Sequence, residues 1–291
     1  MMKRPISLAL SALTLTASLA HAQEEALPQA PSNEKLIELQ TTQGMKRAME
    51  KILNIESEWG IFDKFKPNRC KYAIQVPDSV TRGTIALTFD DGPNPDTTPL
   101  ILDVLKAHNA KGTFFILGSK IKGNEAILRR MVAEGHQLAN HSYSHPNFHE
   151  LSSSRMNSEI KTTDRLLRTV GTPRFFRYPY GNSTCSSNEL VSSLGYVNVG
   201  WDIDTCDWAF ADGQVSDKEN ATCQAPQHLR RDYAGYVANV VAQTQGGVLL
   251  MHDIHKNTAH SLDRLMTMLE QDGYRFVSLT DRNIFPKLNR R

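Results

Sequence analysis

The sequence predicts an α/β fold around a parallel sheet, closed or nearly closed into a barrel. From residue 67 onward, short apolar runs alternate with amphipathic stretches, the pattern of βαβ units. Six or seven such repeats fill roughly 200 residues, which suits a barrel better than a flat sheet, although an open doubly wound sheet is the other topology this alternation allows. Polar, chemically capable residues cluster just after the apolar runs, and in a parallel barrel all those strand ends share one face.

Each element follows in order. Residues 1–22 read as a secretory signal, with Lys3 and Arg4 at the start, an apolar run over 6–20, and Ala20-His21-Ala22 as the cleavage site. The run is shorter than the ~20 apolar residues a membrane span needs and carries several hydroxyls, so cleavage near Gln23 is expected rather than anchorage. The product is expected to be periplasmic or secreted, without a membrane span. Residues 23–33 form a flexible leader, and Leu36, Ile37, Leu39, Met45, Ala48, Met49, Ile52, Leu53 and Ile55 recur at helical spacing. Residues 23–66 are therefore a leader and helical extension, read as a structural prefix, and 67–291 the main domain. Within that domain strands are expected at 84–89, 112–117, 136–139, 174–177, 196–201, 247–251 and 274–278. Helices are expected at 98–108, 124–134, 154–170, 187–194, 232–243 and 259–271.

Composition removes other classes. The 291 residues are 40% hydrophobic and 22% charged, enough for a sizeable core and unlike a disordered chain. Lys plus Arg number 33 against 31 Asp plus Glu, and removing Lys3 and Arg4 with the signal leaves 31 against 31. Such balance gives no footprint for nucleic acid or an anionic membrane. Protein partners are not readable. Four cysteines in an exported chain make up to two disulfides. Cys206 with Cys223 is preferred, closing a polar insertion over 209–222, which leaves Cys70 with Cys185.

The chemistry lies in the clusters after the strands: Asp90 and Asp91; His141 and His145; Arg177, Pro179 and Tyr180; Asp202, Asp204, Asp207 and Trp208; and His252. Two imidazoles four residues apart can reach one ion from a helix or a tight loop, and with one carboxylate they leave coordination positions open, as catalytic metal sites do. His108, His136, His149, His228, His255 and His260 have no matched partner and read as surface or core histidines. No Gly-x-Ser-x-Gly elbow and no Gly-rich phosphate loop occurs.

The segments TFDDGP (88–93), HSYSH (141–145), RYPYG (177–181), DTCDW (204–208) and LMH (250–252) resemble, in order, the five motifs of the polysaccharide deacetylases, also called the NodB-homology domain or family-4 carbohydrate esterases. The resemblance runs over about 84–279 and implies a distorted (β/α) barrel that removes acetyl groups from N-acetylated sugars with a divalent metal ion. It implies Asp91, His141 and His145 as metal ligands, Asp90 as general base, and Arg177 as the partner of that base. Tyr180 would offer its backbone N–H to the oxyanion, His252 would be the general acid, and Asp207 would orient it, with Asp204 an alternative for that role. Trp208, Tyr180, Pro179 and Leu250 would line the substrate pocket. Zn²⁺ is the first choice of ion, with Co²⁺, Ni²⁺ or Mn²⁺ accepted by the same donors.

These roles make chemical sense. Amide hydrolysis needs a nucleophile, a place for negative charge on oxygen, and a proton for a poor leaving group. Arg177 is expected to hold the Asp90 pKa low, and a carboxylate to raise that of His252. The expected substrate is an N-acetylglucosamine-containing glycan, peptidoglycan or chitin-type. An O-acetyl esterase on xylan-like glycan and a non-catalytic glycan-binding module are the other readings.

Overall fold

The structure, a computed structural model, describes residues 82–289. The expected signal, leader, helical extension and Cys70 lie outside the described residues. In chain order the elements are β1 (Thr84–Asp90), α1 (Thr98–Ala107), β2 (Thr113–Ile116), α2 (Glu125–Ala133), β3 (Gln137–Asn140), α3 (Ser153–Leu167), β4 (Phe175–Phe176), α4 (Cys185–Ser193), β5 (Val197–Asn198), β6 (Ile203–Asp204), α5 (Asp217–Cys223), α6 (Tyr233–Thr244), β7 (Gly247–His252), α7 (Lys256–Gln271) and β8 (Arg275–Phe276). Every strand and helix expected in this region is present. β6 and α5 are additional.

Helix starts follow local chemistry. Ser152 accepts the Arg155 N–H at the head of α3, Thr184 and Ser187 form a capping box on α4, and Asp232 accepts the Gly235 N–H on α6.

All strand pairings are parallel, in the order β5-β4-β3-β2-β1-β7-β6, with β8 beside the start of β1. The two ends of that order are successive pieces of one extended segment. Val199 N–H still donates to Phe176 of β4 at 2.8 Å, and Asp202 N–H already donates to Val248 of β7 at 2.9 Å. One run of chain therefore serves both edges, so the sheet curls into a distorted barrel closed by a strand broken at 200–201.

Side chains alternate in and out along each strand. Ala86, Phe115, Ala139, Phe175, Val199 and Val248 form one buried cluster, closed by Leu279, Phe285 and Leu288 from the C-terminal segment. Their strand neighbours Ile85, Leu87, Phe114, Leu138 and Leu249 pack instead with the helices. The first set is the barrel interior. Stepping two residues from Ala86 reaches Thr88 and Asp90, from Ala139 reaches His141, from Phe175 reaches Arg177, and from Val248 reaches Leu250 and His252. Parity alone brings five of the candidate residues, Asp90, His141, Arg177, Leu250 and His252, to the inner face near the barrel mouth.

The segment 209–222 differs from expectation. It is not simply polar: Phe210 is fully buried, with ring centroids 5.4 Å from both Tyr233 and Tyr236, and Ala209 and Val215 are buried with it. The polar residues occupy the outer face of α5, so the insertion extends the helix-side core. Cys206 and Cys223, 17 residues apart, form the expected disulfide. The Cys70–Cys185 pairing involves a residue outside the described range.

Candidate active site

The turn after β1 separates the two aspartates. Asp90 ends the strand facing inward, whereas Asp91 adopts φ 74 and turns toward β3. Gly92 follows because a Cβ there would meet the Asp253 carboxylate at 2.0 Å. The His141 to His145 segment is a tight loop, with Ser142 and His145 also at positive φ.

These turns bring Asp91, His141 and His145 together, each offering a ligand atom within 4.8 Å of the others. His141 Nε2 and His145 Nε2 lie 3.5 and 3.4 Å from Asp91 Oδ1, a buried oxygen with no hydrogen-bond partner. His141 Nδ1 lies 2.8 Å from the Arg177 carbonyl. A carbonyl only accepts, so Nδ1 carries the proton and Nε2 keeps its lone pair toward Asp91. Burial pushes the His141 pKa down to about 3, despite Asp91 nearby, so the ring is neutral. A neutral imidazole with its lone pair aimed at an unpartnered buried carboxylate oxygen fits a divalent cation.

Arg177 crosses the barrel interior at 1% exposure. Its Nη1 donates to Asp90 Oδ1 at 2.7 Å and Thr88 Oγ1 at 2.8 Å, and its plane lies 4.1 Å over Phe115. Nε and Nη2 donate to the carbonyls of Val199 and Gly200 at 3.1 and 2.7 Å. Those carbonyls lie at the broken strand, so one side chain satisfies the break and aims the candidate base. The expected low Asp90 pKa is corrected. Burial raises it by more than Arg177, His252 and His145 lower it, and the net direction is upward.

On the other side of the mouth, His252 Nδ1 lies 2.7 Å from Asp207 Oδ1. Asp207 Oδ2 also accepts the His252 N–H at 2.6 Å and the Thr258 hydroxyl at 2.8 Å. Burial lowers the His252 pKa, but Asp207, Asp90 and Asp91 raise it by more, to about 10. Burial alone would raise Asp207, yet His252 holds it below the ordinary carboxylate range. Asp204 instead accepts the Cys206 N–H at 2.9 Å, so of the two aspartates it is Asp207 that holds His252.

Pro179 is buried, and Tyr180, at φ 58 and 62% exposed, lays its ring 4.6 Å from that of His145. Gly181 allows close approach of Trp201, which a Cβ would meet at 2.9 Å. Leu250 is buried facing inward, and Trp208 is half-buried against the helix-side core.

Three further residues stand at or behind the mouth. His255, read as a bystander, lies with its ring 5.6 Å from His252. Asp253 is fully buried, accepts the Thr98 hydroxyl at 2.5 Å and has its pKa pushed up by burial to about 7. Glu159 sits at a core position of α3 among Met156, Ile160, Thr163 and Leu167. A charge on the apolar face of an amphipathic helix was the available signal for it.

The sequence profile of the polysaccharide deacetylase family matches residues 78–199. A chitooligosaccharide deacetylase of Sinorhizobium fredii is 36% identical over 226 residues, covering 72% of this chain and 96% of that protein. The chain belongs to the polysaccharide deacetylase family. A peptidoglycan-N-acetylglucosamine deacetylase of Listeria monocytogenes is 33% identical over 238 residues, 81% of this chain, which spans 46% of that protein's length. Among solved structures of the family, the peptidoglycan deacetylase PdaC from Bacillus subtilis aligns with a TM-score of 0.58 at 31% identity, covering 72% of this chain and 94% of that one.

Proposed function

We propose that the chain is an exported, metal-dependent hydrolase that removes N-acetyl groups from an N-acetylglucosamine-containing glycan, either peptidoglycan or a chitin-type oligosaccharide. One observation carries the reading. The barrel mouth holds a neutral imidazole and an unpartnered carboxylate oxygen on one side and a cationic imidazole on the other. Amide hydrolysis needs that asymmetry, and a glycan-binding module does not. Similarity to peptidoglycan and chitooligosaccharide deacetylases supports the substrate class. The residues at 1–22 support export.

Asp91, His141 and His145 would hold the ion, with Zn²⁺ the first choice. Such a cation lowers the pKa of water toward roughly 7 and polarises the acetyl carbonyl. Asp90 takes a proton from the attacking water, and its raised pKa suits a base better than that of a free aspartate would. Arg177 keeps that carboxylate aimed through its 2.7 Å bond. The water oxygen bonds to the acetyl carbon, and the Tyr180 N–H donates to the oxygen on which charge builds. His252 then gives its proton to the amine nitrogen as the C–N bond breaks, releasing acetate and the free amino sugar. Asp90 and His252 are register neighbours on β1 and β7, so acceptor and donor flank one position. Pro179, Tyr180, Trp208 and Leu250 are assigned to the substrate pocket.

The test is acetate release from peptidoglycan, chitooligosaccharides, poly-N-acetylglucosamine and acetylated xylan, each with chelator and with added Zn²⁺. Zinc-dependent release from an N-acetylated glycan is expected. Release only from acetylated xylan would transfer the activity to O-acetyl esters, and undiminished release in chelator would end the metal assignment.

A further inference from the structure

The loop that carries both histidines holds Ser142 at φ 70 and His145 at φ 59, a backbone region that residues with side chains avoid. Part of what holds it there comes from α3. The Glu159 carboxylate, 2% exposed, receives four donors. Oε2 accepts the consecutive backbone N–H groups of Tyr143 and Ser144 at 2.9 and 2.8 Å. Oε1 accepts the Ser144 hydroxyl at 2.9 Å and the Arg155 guanidinium at 2.9 Å. None of these four bonds involves an imidazole. Buried carboxylates are costly unless fully hydrogen-bonded, and an apolar residue would serve helix packing better at this core position. The charge is therefore explained by the loop it fastens.

The two histidines depend on that anchor unequally. His141 continues from β3, its N–H donating to the Ile116 carbonyl at 3.0 Å and its ring held by the Arg177 carbonyl. His145 stands at the far end of the loop, its N–H bonded at 3.1 Å to the Ser142 hydroxyl. We propose that Glu159 is a positioning residue for the divalent cation: it fixes the His145 arm of the ligand set and thereby sets metal affinity and ligand geometry. This rests on the metal reading of Asp91, His141 and His145 given above.

The experiment uses the full chain stripped with chelator. Zn²⁺ affinity is measured by competition with a chromophoric chelator, and ligand geometry by the visible absorption of the Co²⁺ form. Glu159→Gln keeps the shape but loses the charge and one acceptor, and it is expected to weaken Zn²⁺ binding by about 10-fold and alter the cobalt spectrum, in line with other groups that orient metal ligands. Glu159→Asp keeps the charge and withdraws it by one methylene. A smaller loss in the same direction is expected, and this variant carries the test if the glutamine protein does not fold. Arg155→Ala should change affinity by no more than about twofold, since that guanidinium is largely exposed. A lower melting temperature of the stripped variant with unchanged zinc affinity and cobalt spectrum would make Glu159 merely structural and overturn the proposal. Failure of the unmutated chain to bind either ion would instead remove the metal reading itself, a result visible without any assay of deacetylation.

Discussion

The two sides of the barrel mouth use the same residue types to opposite ends. On one side His141 meets Asp91, and on the other His252 meets Asp207; both imidazoles are largely buried. Yet one ring is held neutral, at a pKa of about 3, and the other cationic, at about 10. Burial lowers the pKa of both rings; for His252 the Asp207 carboxylate on Nδ1 outweighs it, whereas the backbone carbonyl on Nδ1 of His141 does not. The carboxylates differ in the same sense. Asp207 already accepts three protein donors, while Asp91 Oδ1 accepts none. Although Asp207, His252 and His255 are also close enough to share an ion, the Asp207 carboxylate is already hydrogen-bonded by His252 and Thr258. On the proposed reading, an Asp–His pair is thus a cation cradle or a proton donor according to its second contacts.

The comparison breaks most visibly under substitution of the histidines. His141→Ala should remove both zinc and activity, whereas His252→Ala should retain zinc and lose activity by about 10²–10⁴-fold. Metal content and acetate release measured on both proteins check this, and zinc loss in the His252 variant would reverse the two assignments. Asp207→Asn is expected to cost about 10²-fold in kcat and to move the alkaline limb of the pH profile downward. The sign follows from the carboxylate: it holds His252 above its ordinary 6.5, so without it the donor deprotonates at lower pH.

The disulfide sharpens the contrast between the sides, because Cys206 immediately precedes Asp207 and itself sits at φ 55. Cys206→Ser with Cys223→Ser should lower stability by about 3 kcal/mol, the value for a loop of this length, and reduce kcat while leaving zinc affinity unchanged. Denaturant unfolding and zinc titration read the two effects separately.

The smallest expected effect concerns Asp253, whose buried carboxyl is pushed up to about 7. An acid raised on folding penalises the native state when ionised, so its cost is full above pH 7 and fades as pH falls toward the unfolded value near 3.8. Asp253→Asn should therefore raise the melting temperature at pH 8 and lose that gain by pH 4. A gain independent of pH would show that the buried charge is not its source.

Much of the site was legible because burial leaves a local trace. Alternation in β1 places Asp90 on the inner face, and the same parity carries His141, Arg177 and His252 to the mouth. The disulfide between Cys206 and Cys223 was legible as the pairing, among the three that four cysteines allow, that closes the 209–222 insertion at its base. The choice between Asp204 and Asp207 was not, since Asp204 ends β6, Asp207 follows three residues later, and the partner that decides lies 45 residues away. Glu159 and Asp253 were hidden because, Arg155 apart, the partners that fix them are backbone N–H groups of a distant loop and hydroxyls brought in by folding. Phe210 shows the same limit within the insertion, where neighbouring polar residues masked a core side chain.

By itself, then, the sequence determined all but one of the strands, all but one of the helices, and which polar residues stand at the strand ends, because periodic burial is written into nearest-neighbour order. Only the tertiary structure decided how the barrel closes, which aspartate holds His252, and which way each titratable group shifts. The physical reason is that desolvation and Coulomb interaction depend on distance in space, and a single interior side chain, Arg177, joins β1, the end of β4 and the broken strand after β5 across 87 and 22 residues of chain.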